Sequence, residues 1–204
     1  MQEQRSVVII GGGAAGMMAA IHALENGARV TLIERNAACG KKLKITGKGR
    51  CNVTNACDVK DFMQNVPTNP RFLYSALSCF STEDTMALFE QEGVPLKVER
   101  GRRVFPVSDK AEDIVSALFK RMKRLGVDII HARADSLIVE DGAVVGVEAG
   151  GERILADATI VATGGRSYPG TGSDGDGYRL ATSVGHTVTP IIPSLVPLVS
   201  KSKI

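Results

Sequence analysis

The sequence has no hydrophobic run long enough to cross a membrane and few cysteines. No apolar stretch approaches the ~18 residues expected of a membrane-spanning helix. The N-terminus, MQEQRSVVII, also lacks the charged, apolar and small-residue sections of a signal peptide. The four cysteines, at positions 39, 51, 57 and 79, show no paired CxxC spacing, which favours reduced thiols over disulfides. We therefore expect a cytoplasmic protein with no membrane segment.

The charge balance is nearly even. The net charge of +3 does not by itself require a polyanionic partner. Hydrophobic residues make up 44% and charged residues 23%, which is ordinary for a folded globular protein. The 204 residues are enough for one large domain, or for one domain and part of another, because domains run to roughly 100–200 residues.

A glycine-rich turn follows the first predicted strand. SVVII, at residues 6–10, is a continuous apolar run typical of a strand covered on both faces. It leads into GGGAAG, where Gly11, Gly13 and Gly16 have the G-x-G-x-x-G spacing around Ala14 and Ala15. In a dinucleotide site the three glycines give the tight turn, the approach of the pyrophosphate and the close packing of the helix. The phosphates would lie at the helix N-terminus.

The next elements complete a β-α-β unit. MMAAIHALENG predicts a helix that ends at Gly27, and ARVTLIE predicts a second strand that ends at Glu34. A carboxylate at this position can accept hydrogen bonds from a ribose 2′-hydroxyl, and it repels a 2′-phosphate. The pattern therefore predicts FAD or NAD and disfavours NADP, but it does not choose between the first two.

The stretch KKLKITGKGRCN follows Arg35 and the second strand, so it is well placed to reach the rest of a long cofactor. Gly47 and Gly49 allow the backbone to approach a flat ring, and Lys42 and Arg50 can meet phosphate or substrate anions. Two other interpretations are a nucleic-acid patch and a zinc site. The first is disfavoured because residues 36–61 contain no aromatic side chain, and the second because a second ligand pair at suitable spacing is lacking.

Residues 58–105 depart from the β-α-β pattern. TNPRFLYSALSCF and STEDTMALFEQEG predict two helices, with Ser81 or Thr82 as N-cap of the second. We expect a helical excursion with Phe72, Tyr74 and Phe80 in its core. The arginines of ERGRRVFP fit a substrate-facing cluster and a solvated turn equally well. SDKAEDIVSALFKRMKRLG then predicts an amphipathic helix with acids in its first turn and bases in its last.

The second half predicts a strand, a meander and a return to the sheet. VDIIH is the strand, and Asp-Gly and Gly-Gly turns divide the antiparallel meander that follows it. ATIVATGG predicts a buried strand with Thr163, Gly164 and Gly165 at its carboxyl end, where ligands of open α/β sheets bind. The glycine-rich loop that follows contains GDG at residues 175–177, where backbone N–H groups could stabilise negative charge on a reduced flavin. A calcium loop competes, but the twelfth-position Glu of an EF-hand is missing.

Several motifs together resemble one family. KLKITGKGRCNVTN, GRRVFPVSDKAEDIV, ATGGRSYPGTGSDGDGY and GHTVTPIIPSLVPL are similar to signatures of the HI0933-like (BaiN/RdsA) flavoproteins. The resemblance implies an α/β fold, a Rossmann-like FAD-binding domain of glutathione-reductase type with a central parallel sheet, a β-meander and the helical excursion. It implies an FAD-binding domain at 1–190, with the excursion at about 58–105, and a link at 191–204 into a second domain that longer family members carry. By that reading the chain is an N-terminal portion.

The resemblance also implies a set of cofactor-binding residues. The TGKGRCN loop would pass beside the isoalloxazine, backbone near Ala134 would contact the adenine, and GDG would approach the flavin. The full expected set is Gly11, Gly13, Ala14, Ala15, Gly16, Glu34, Arg35, Lys42, Thr46, Gly47, Gly49, Arg50, Cys51, Asn52, Ala134, Thr163, Gly164, Gly165, Asp176 and Gly177. No metal ligand is expected, and the residues identify no catalytic acid or base.

The implied function is that of an FAD-dependent oxidoreductase. Hydride would pass through the flavin between NAD(P)H or oxygen and an organic substrate. Activities associated with the family include reduction of steroid-like molecules, oxidation of small amines and dihydrouridine formation in ribosomal RNA, so the expected partner is a small molecule or ribosomal RNA. Two alternatives stay open: an NAD-dependent dehydrogenase, and a non-catalytic nucleotide- or RNA-binding module.

Overall fold

The computed structural model describes residues 4–193. The strands are β1 (Ser6–Ile10), β2 (Arg29–Ile33), β3 (Thr54–Asn55), β4 (Leu96–Glu99), β5 (Arg103–Pro106), β6 (Asp128–Ile130), β7 (Ala134–Glu140), β8 (Ala143–Ala149), β9 (Glu152–Leu155) and β10 (Ala158–Val161). The helices are α1 (Ala14–Glu25), α2 (Val59–Gln64), α3 (Tyr74–Cys79), α4 (Thr82–Gln91), α5 (Ala111–Leu125) and α6 (Asp176–Ser183). None of these helices is long and apolar enough to cross a membrane.

A parallel sheet with the strand order β10-β1-β2-β6 forms the centre of the fold. The predicted strands and the α/β class are thereby confirmed. Strand β1 alternates its buried side chains between two layers: Ile9 packs on one face of the sheet, and Val8 and Ile10 pack on the other. Burial of such a side chain stabilises the fold by about 1.5–3 kcal/mol.

Helices α1 and α5 cover the first face of the sheet. Helix α5 buries Ile114, Leu118 and Met122, which recur at helical spacing and pack with the apolar side of α1. It ends at Gly126, whose φ of 90° forms the left-handed cap. Two of the bases in its last turns, Arg121 and Arg124, form ion pairs with Glu92. The predicted amphipathic helix is confirmed.

The predicted antiparallel meander, β7-β8-β9, is present. It lies against the other face of the sheet. Val147 and Ala149 of this meander pack against β1, together with Leu180 of α6. The sheet is therefore covered on two sides, and its carboxyl edge is left for the loops that follow the strands.

The excursion differs from the prediction in two respects. It contains a three-stranded sheet, β3-β5-β4, beside its helices, so it is not purely helical. Phe72 and Tyr74 are 86% and 63% exposed, and the expectation that they form a core was wrong. Helices α2 and α3 are short, and their side chains are half-buried or exposed throughout. Phe80 does pack on the main core, and Ser81 is the N-cap, with a reciprocal capping box to Asp84.

Strand β10 also corrects an expectation. It was predicted to be buried, yet Ile160 and Val161 are about two-fifths exposed. Within residues 4–193 this strand pairs on one side only, with β1, so its outer edge borders no other strand of the described chain. The predicted link at 191–204 lies almost wholly outside the described residues.

Candidate functional site

A cavity of about 500 Å³ opens at the carboxyl edge of the central sheet. It lies between the β1–α1 turn, the end of β2, the loop at 40–46, the start of β7, the end of β10 and the turn before α6. This is where open α/β sheets bind ligands, and the volume is within the range of cofactor sites.

The three glycines of the first turn differ in the space that a side chain would have. Gly11 has a φ of +105°, and a Cβ there would lie 2.6 Å from the carbonyl oxygen of Ala162. A Cβ on Gly16 would lie 1.8 Å from the carbonyl oxygen of Gly11. A Cβ on Gly13 would meet no atom of residues 4–193 within 4 Å. The predicted turn and close helix packing are confirmed at Gly11 and Gly16, while Gly13 faces open space.

That open space lies at the N-terminus of α1. Gly13 is the N-cap, and neither a capping side chain nor a first-turn acid is present there in the described structure. Gly13, Ala14 and Ala15 line the cavity. The N–H groups of a first helical turn have no acceptor inside the helix, and the helix dipole adds partial positive charge. The arrangement suits an anionic group such as a phosphate.

Glu34 is 6% exposed and lines the same cavity from the end of β2. Its Oε2 accepts a hydrogen bond from the Gly12 N–H at 2.7 Å, and its Oε1 accepts from the backbone and side-chain N–H groups of Asn36 at 2.7 and 2.6 Å. The carboxylate is thus held in one orientation by neighbours that sequence reasoning did not identify. Burial, with the Glu34 charge second, raises the pKa of the neighbouring Cys39 to about 11.

An ion-pair network joins three loops at the rim of the cavity. Arg35 donates to Asp174 at 2.9 Å and to Asp176 at 3.2 Å, and Asp176 also accepts from Arg133 at 2.7 Å and from Arg179 at 3.1 Å. We call these five residues the clasp. The Arg133 guanidinium is the main cause that lowers the pKa of Asp176 to about 2. Both aspartates therefore face arginines, which leaves the calcium-loop alternative without support.

The loop at 43–52 has two faces. Lys42, Leu43 and Thr46 line the cavity, and the Thr46 hydroxyl donates to the Leu43 carbonyl at 2.7 Å. The next residues turn away from the cavity. Cys51 is buried, which raises its thiol pKa and gives no support to a redox role.

Arg50 and Asn52 contact protein groups on the far side of this loop. Arg50 forms ion pairs with Glu99 and Asp109. In the orientation that its surroundings dictate, the Asn52 amide donates to the carbonyls of Val104 and Thr54. The predicted contact of Arg50 and Asn52 with a cofactor stays a prediction, because the polar groups of both side chains bond to other protein groups in this structure.

The opposite wall is built from the end of β10 and the turn before α6. Thr163 and Gly164 line the cavity, and a Cβ on Gly164 would lie 2.9 Å from Oγ of the buried Ser173. A Cβ on Gly177 would lie 2.5 Å from Thr163 Oγ1, so that glycine allows α6 to pack behind the wall.

The cavity brings together most of the predicted site. The predicted residues that line it are Gly11, Gly13, Ala14, Ala15, Glu34, Arg35, Lys42, Thr46, Ala134, Thr163, Gly164 and Asp176. Those that lie outside its lining are Gly16, Gly47, Gly49, Arg50, Cys51, Asn52, Gly165 and Gly177. Sequence reasoning missed Gly12 and Asn36, which are next to predicted residues in the chain. It also missed Arg133 and Ser173, which the fold brings to the cavity.

Other predicted candidates lie apart from the cavity lining. The Arg100–Arg103 turn is exposed, and Arg102 pairs with Asp61, in agreement with a solvated turn. Among residues 4–193, no group of three or more His, Cys, Asp or Glu side chains is arranged to hold a metal ion.

Residues 5–193 match the model of the HI0933-like protein Rossmann domain. The chain is 38% identical over 193 residues to a 3-dehydro-bile acid delta(4,6)-reductase of Clostridium scindens, covering 93% of this chain and 46% of that protein. It is 32% identical over 196 residues to the ribosomal RNA dihydrouridine synthase of Escherichia coli, covering 96% and 48%. The chain thus spans about half the length of the curated relatives it matches.

The fold is also similar to that of solved structures. The 3-ketosteroid-delta4-(5alpha)-dehydrogenase of Rhodococcus jostii superposes with a TM-score of 0.60 at 20% identity, over 82% of this chain and 48% of that one. At this identity the likeness concerns the fold.

Proposed function

The chain belongs to the HI0933-like Rossmann-domain family, and on that premise we propose that it forms the FAD-binding domain of an oxidoreductase. The observation that carries the proposal is the β1–α1 turn at the cavity. Gly13 leaves open space in front of the first turn of α1, and the buried carboxylate of Glu34 lies at the end of the neighbouring strand. An anion site beside a carboxylate that can accept a hydrogen bond from a hydroxyl group suits the pyrophosphate and the ribose of an adenosine diphosphate group.

The lining of the cavity includes groups suited to the pyrophosphate and the ribose of FAD. The N–H groups of Gly13, Ala14 and Ala15 would hold the pyrophosphate, and Glu34 would accept from a ribose hydroxyl. The Glu34 carboxylate would repel a 2′-phosphate, which argues against NADP at this place. Lys42 adds positive charge to the wall beside the phosphate position.

The remaining predicted contacts belong to the same proposal. Backbone at Ala134 would face the adenine, while Thr46, Thr163 and Gly164 would border the rest of the cofactor. We retain residues 1–190 as the proposed extent of the FAD-binding domain.

Bound FAD would supply hydride transfer between a donor such as NAD(P)H, or oxygen as acceptor, and an organic substrate. The protein residues would bind, orient and enclose it. Two relatives are by name a bile acid reductase and a dihydrouridine synthase. We therefore propose reduction of a carbon–carbon double bond, with ribosomal RNA or a small molecule as substrate. A cytoplasmic setting, where NAD(P)H is available, fits this chemistry.

The test is a visible absorption spectrum of the purified chain, before and after addition of FAD, followed by heat release and identification of the bound molecule. A flavin spectrum with FAD in the supernatant supports the proposal. A colourless protein that does not bind added FAD but binds NAD would favour the NAD-dependent dehydrogenase. Salt-dependent RNA binding without any flavin would favour a non-catalytic module.

A further inference from the structure

The loop from Thr46 to Asn52 adopts a backbone conformation that costs free energy. Gly47 and Gly49 have φ values of 56° and 85°, which glycine tolerates. Lys48 and Cys51 both have a φ of 59°, in the left-handed region that non-glycine residues seldom occupy. Such conformations persist only when surrounding contacts hold them. Some part of the fold must therefore fix this loop.

Arg50 joins this loop to β4, to β5 and to the segment between β5 and α5. Its guanidinium lies 4.1 Å from the centre of the Phe105 ring, which is almost completely buried in β5. Nη1 donates to Glu99 at 2.9 Å and to Asp109 at 3.2 Å. Lys97 donates to Asp109 at 2.7 Å and lies 3.6 Å from Glu99. We call Arg50, Glu99, Asp109 and Lys97 the clamp.

The four charges of the clamp balance, and each group supports the charged state of its oppositely charged partners. Hydrogen bonding to Glu99 raises the pKa of Arg50, and hydrogen bonding to Arg50 lowers the pKa of Glu99. Lys97 in the same way lowers the pKa of Asp109. A guanidinium stacked on an aromatic ring and bonded to two carboxylates is in a defined orientation, unlike a solvated side chain.

The clamp lies on the opposite side of the loop from the cavity. Thr46 lines the cavity, whereas Gly47 packs so closely on Phe105 that a Cβ there would lie 3.1 Å from the ring. The Cys51 N–H donates to the Thr46 carbonyl at 3.0 Å and closes the turn between the two faces. A displacement of Arg50 would therefore be transmitted to the Thr46 wall.

We propose that Arg50 is a positioning residue: through Glu99, Asp109 and Phe105 it holds the 46–52 loop in the conformation that forms one wall of the cofactor cavity. This inference rests on the proposed function for the identity of the ligand, but the state of the loop can be measured without it. The guanidinium of Arg50 would then bind carboxylates of the protein rather than a phosphate or a substrate anion.

The experiment compares Arg50→Met and Arg50→Lys with Arg153→Met. Methionine keeps an apolar stem over Phe105 without the charge, and lysine keeps the charge without the planar fork. Arg153 pairs with Glu140 on the meander, so it controls for the loss of one surface arginine ion pair. Hydrogen exchange of the ligand-free proteins and FAD titration are the two measurements.

For Arg50→Met we expect exchange of the 43–53 segment to rise about tenfold while the α5 segment is unchanged. The FAD dissociation constant should rise by about tenfold, Arg50→Lys should be intermediate, and Arg153→Met should equal wild type. Exchange and affinity in Arg50→Met that match Arg153→Met would overturn the proposal, as would a uniform rise in exchange across the chain. If Arg50→Met does not fold, Glu99→Gln gives the same comparison.

Failure of the proposed function has a different signature. A wild-type chain that binds no FAD would refute that function, while the exchange pattern of the 43–53 segment would still decide the role of Arg50.

Discussion

Substitution of Gly13 by alanine should separate cofactor binding from folding. The backbone at Gly13 has φ and ψ of −78° and −171°, an extended conformation that any residue adopts. Since a Cβ there meets no described atom within 4 Å, the folded chain has room for it. That room is the space in which the pyrophosphate of the cofactor is proposed to lie.

The expected magnitudes follow from these two facts. Alanine is a poorer N-cap than glycine, at a cost of roughly 0.5–1 kcal/mol. It also restricts the unfolded chain, which stabilises by about 0.4–1 kcal/mol, so the net change in unfolding free energy should be within about 0.5 kcal/mol. A methyl group against the phosphate should cost about 1.4–2.7 kcal/mol of binding, or roughly tenfold to a hundredfold in affinity.

The matched control is Gly16→Ala in the same turn. Its Cβ would lie 1.8 Å from the Gly11 carbonyl oxygen, so the helix must shift, and we expect a loss of at least about 2 kcal/mol of stability. Urea unfolding of the ligand-free proteins and FAD titration by flavin fluorescence measure the two quantities. Wild-type FAD affinity in Gly13→Ala would refute the placement of the pyrophosphate at this turn.

Two further predictions concern titratable groups. Because the folded pKa of Asp176 is lowered from 3.8 to about 2, its stabilisation is present above pH ~4 and is lost as the pH falls through about 2. Asp176→Asn should therefore reduce the unfolding free energy by about 1–2 kcal/mol at pH 7, a value discounted because the arginine partners are exposed. The reduction should be smaller at pH 3. An equal reduction at both pH values in urea unfolding would contradict the stabilising role of the clasp. Cys79 is exposed, whereas Cys39 and Cys51 are buried with raised pKa values, so a thiol reagent at pH 8 should modify Cys79 first. Rapid modification of Cys51 in the native protein, read by mass spectrometry of its peptides, would contradict its burial.

Local sequence patterns predicted the elements nearest the cavity. SVVII, the glycines at 11, 13 and 16, and ARVTLIE define a β-α-β unit whose geometry depends on neighbours in the chain, and the structure contains it. The Asp-Gly and Gly-Gly turns predicted the meander for the same reason. In each case the interactions that determine the structure join residues that are close to one another in the chain.

Long-range contacts explain what the sequence did not reveal. No local pattern marks the ion pairs of Arg50, because its partners, Glu99 and Asp109, lie 49 and 59 residues away. Arg133 reaches Asp176 across 43 residues, so no local pattern marks it. Phe72 has an apolar side chain typical of a core, but its segment packs too little on the rest of the described chain to bury it.

Calorimetric titration of the chain with FAD and, separately, with NAD would decide between the two cofactors. We expect one FAD bound per chain and NAD binding at least about tenfold weaker, because the wall formed by the 43–46 loop and the end of β10 would contact only the longer flavin cofactor. Binding of NAD at equal or higher affinity, or no binding of FAD, would contradict it.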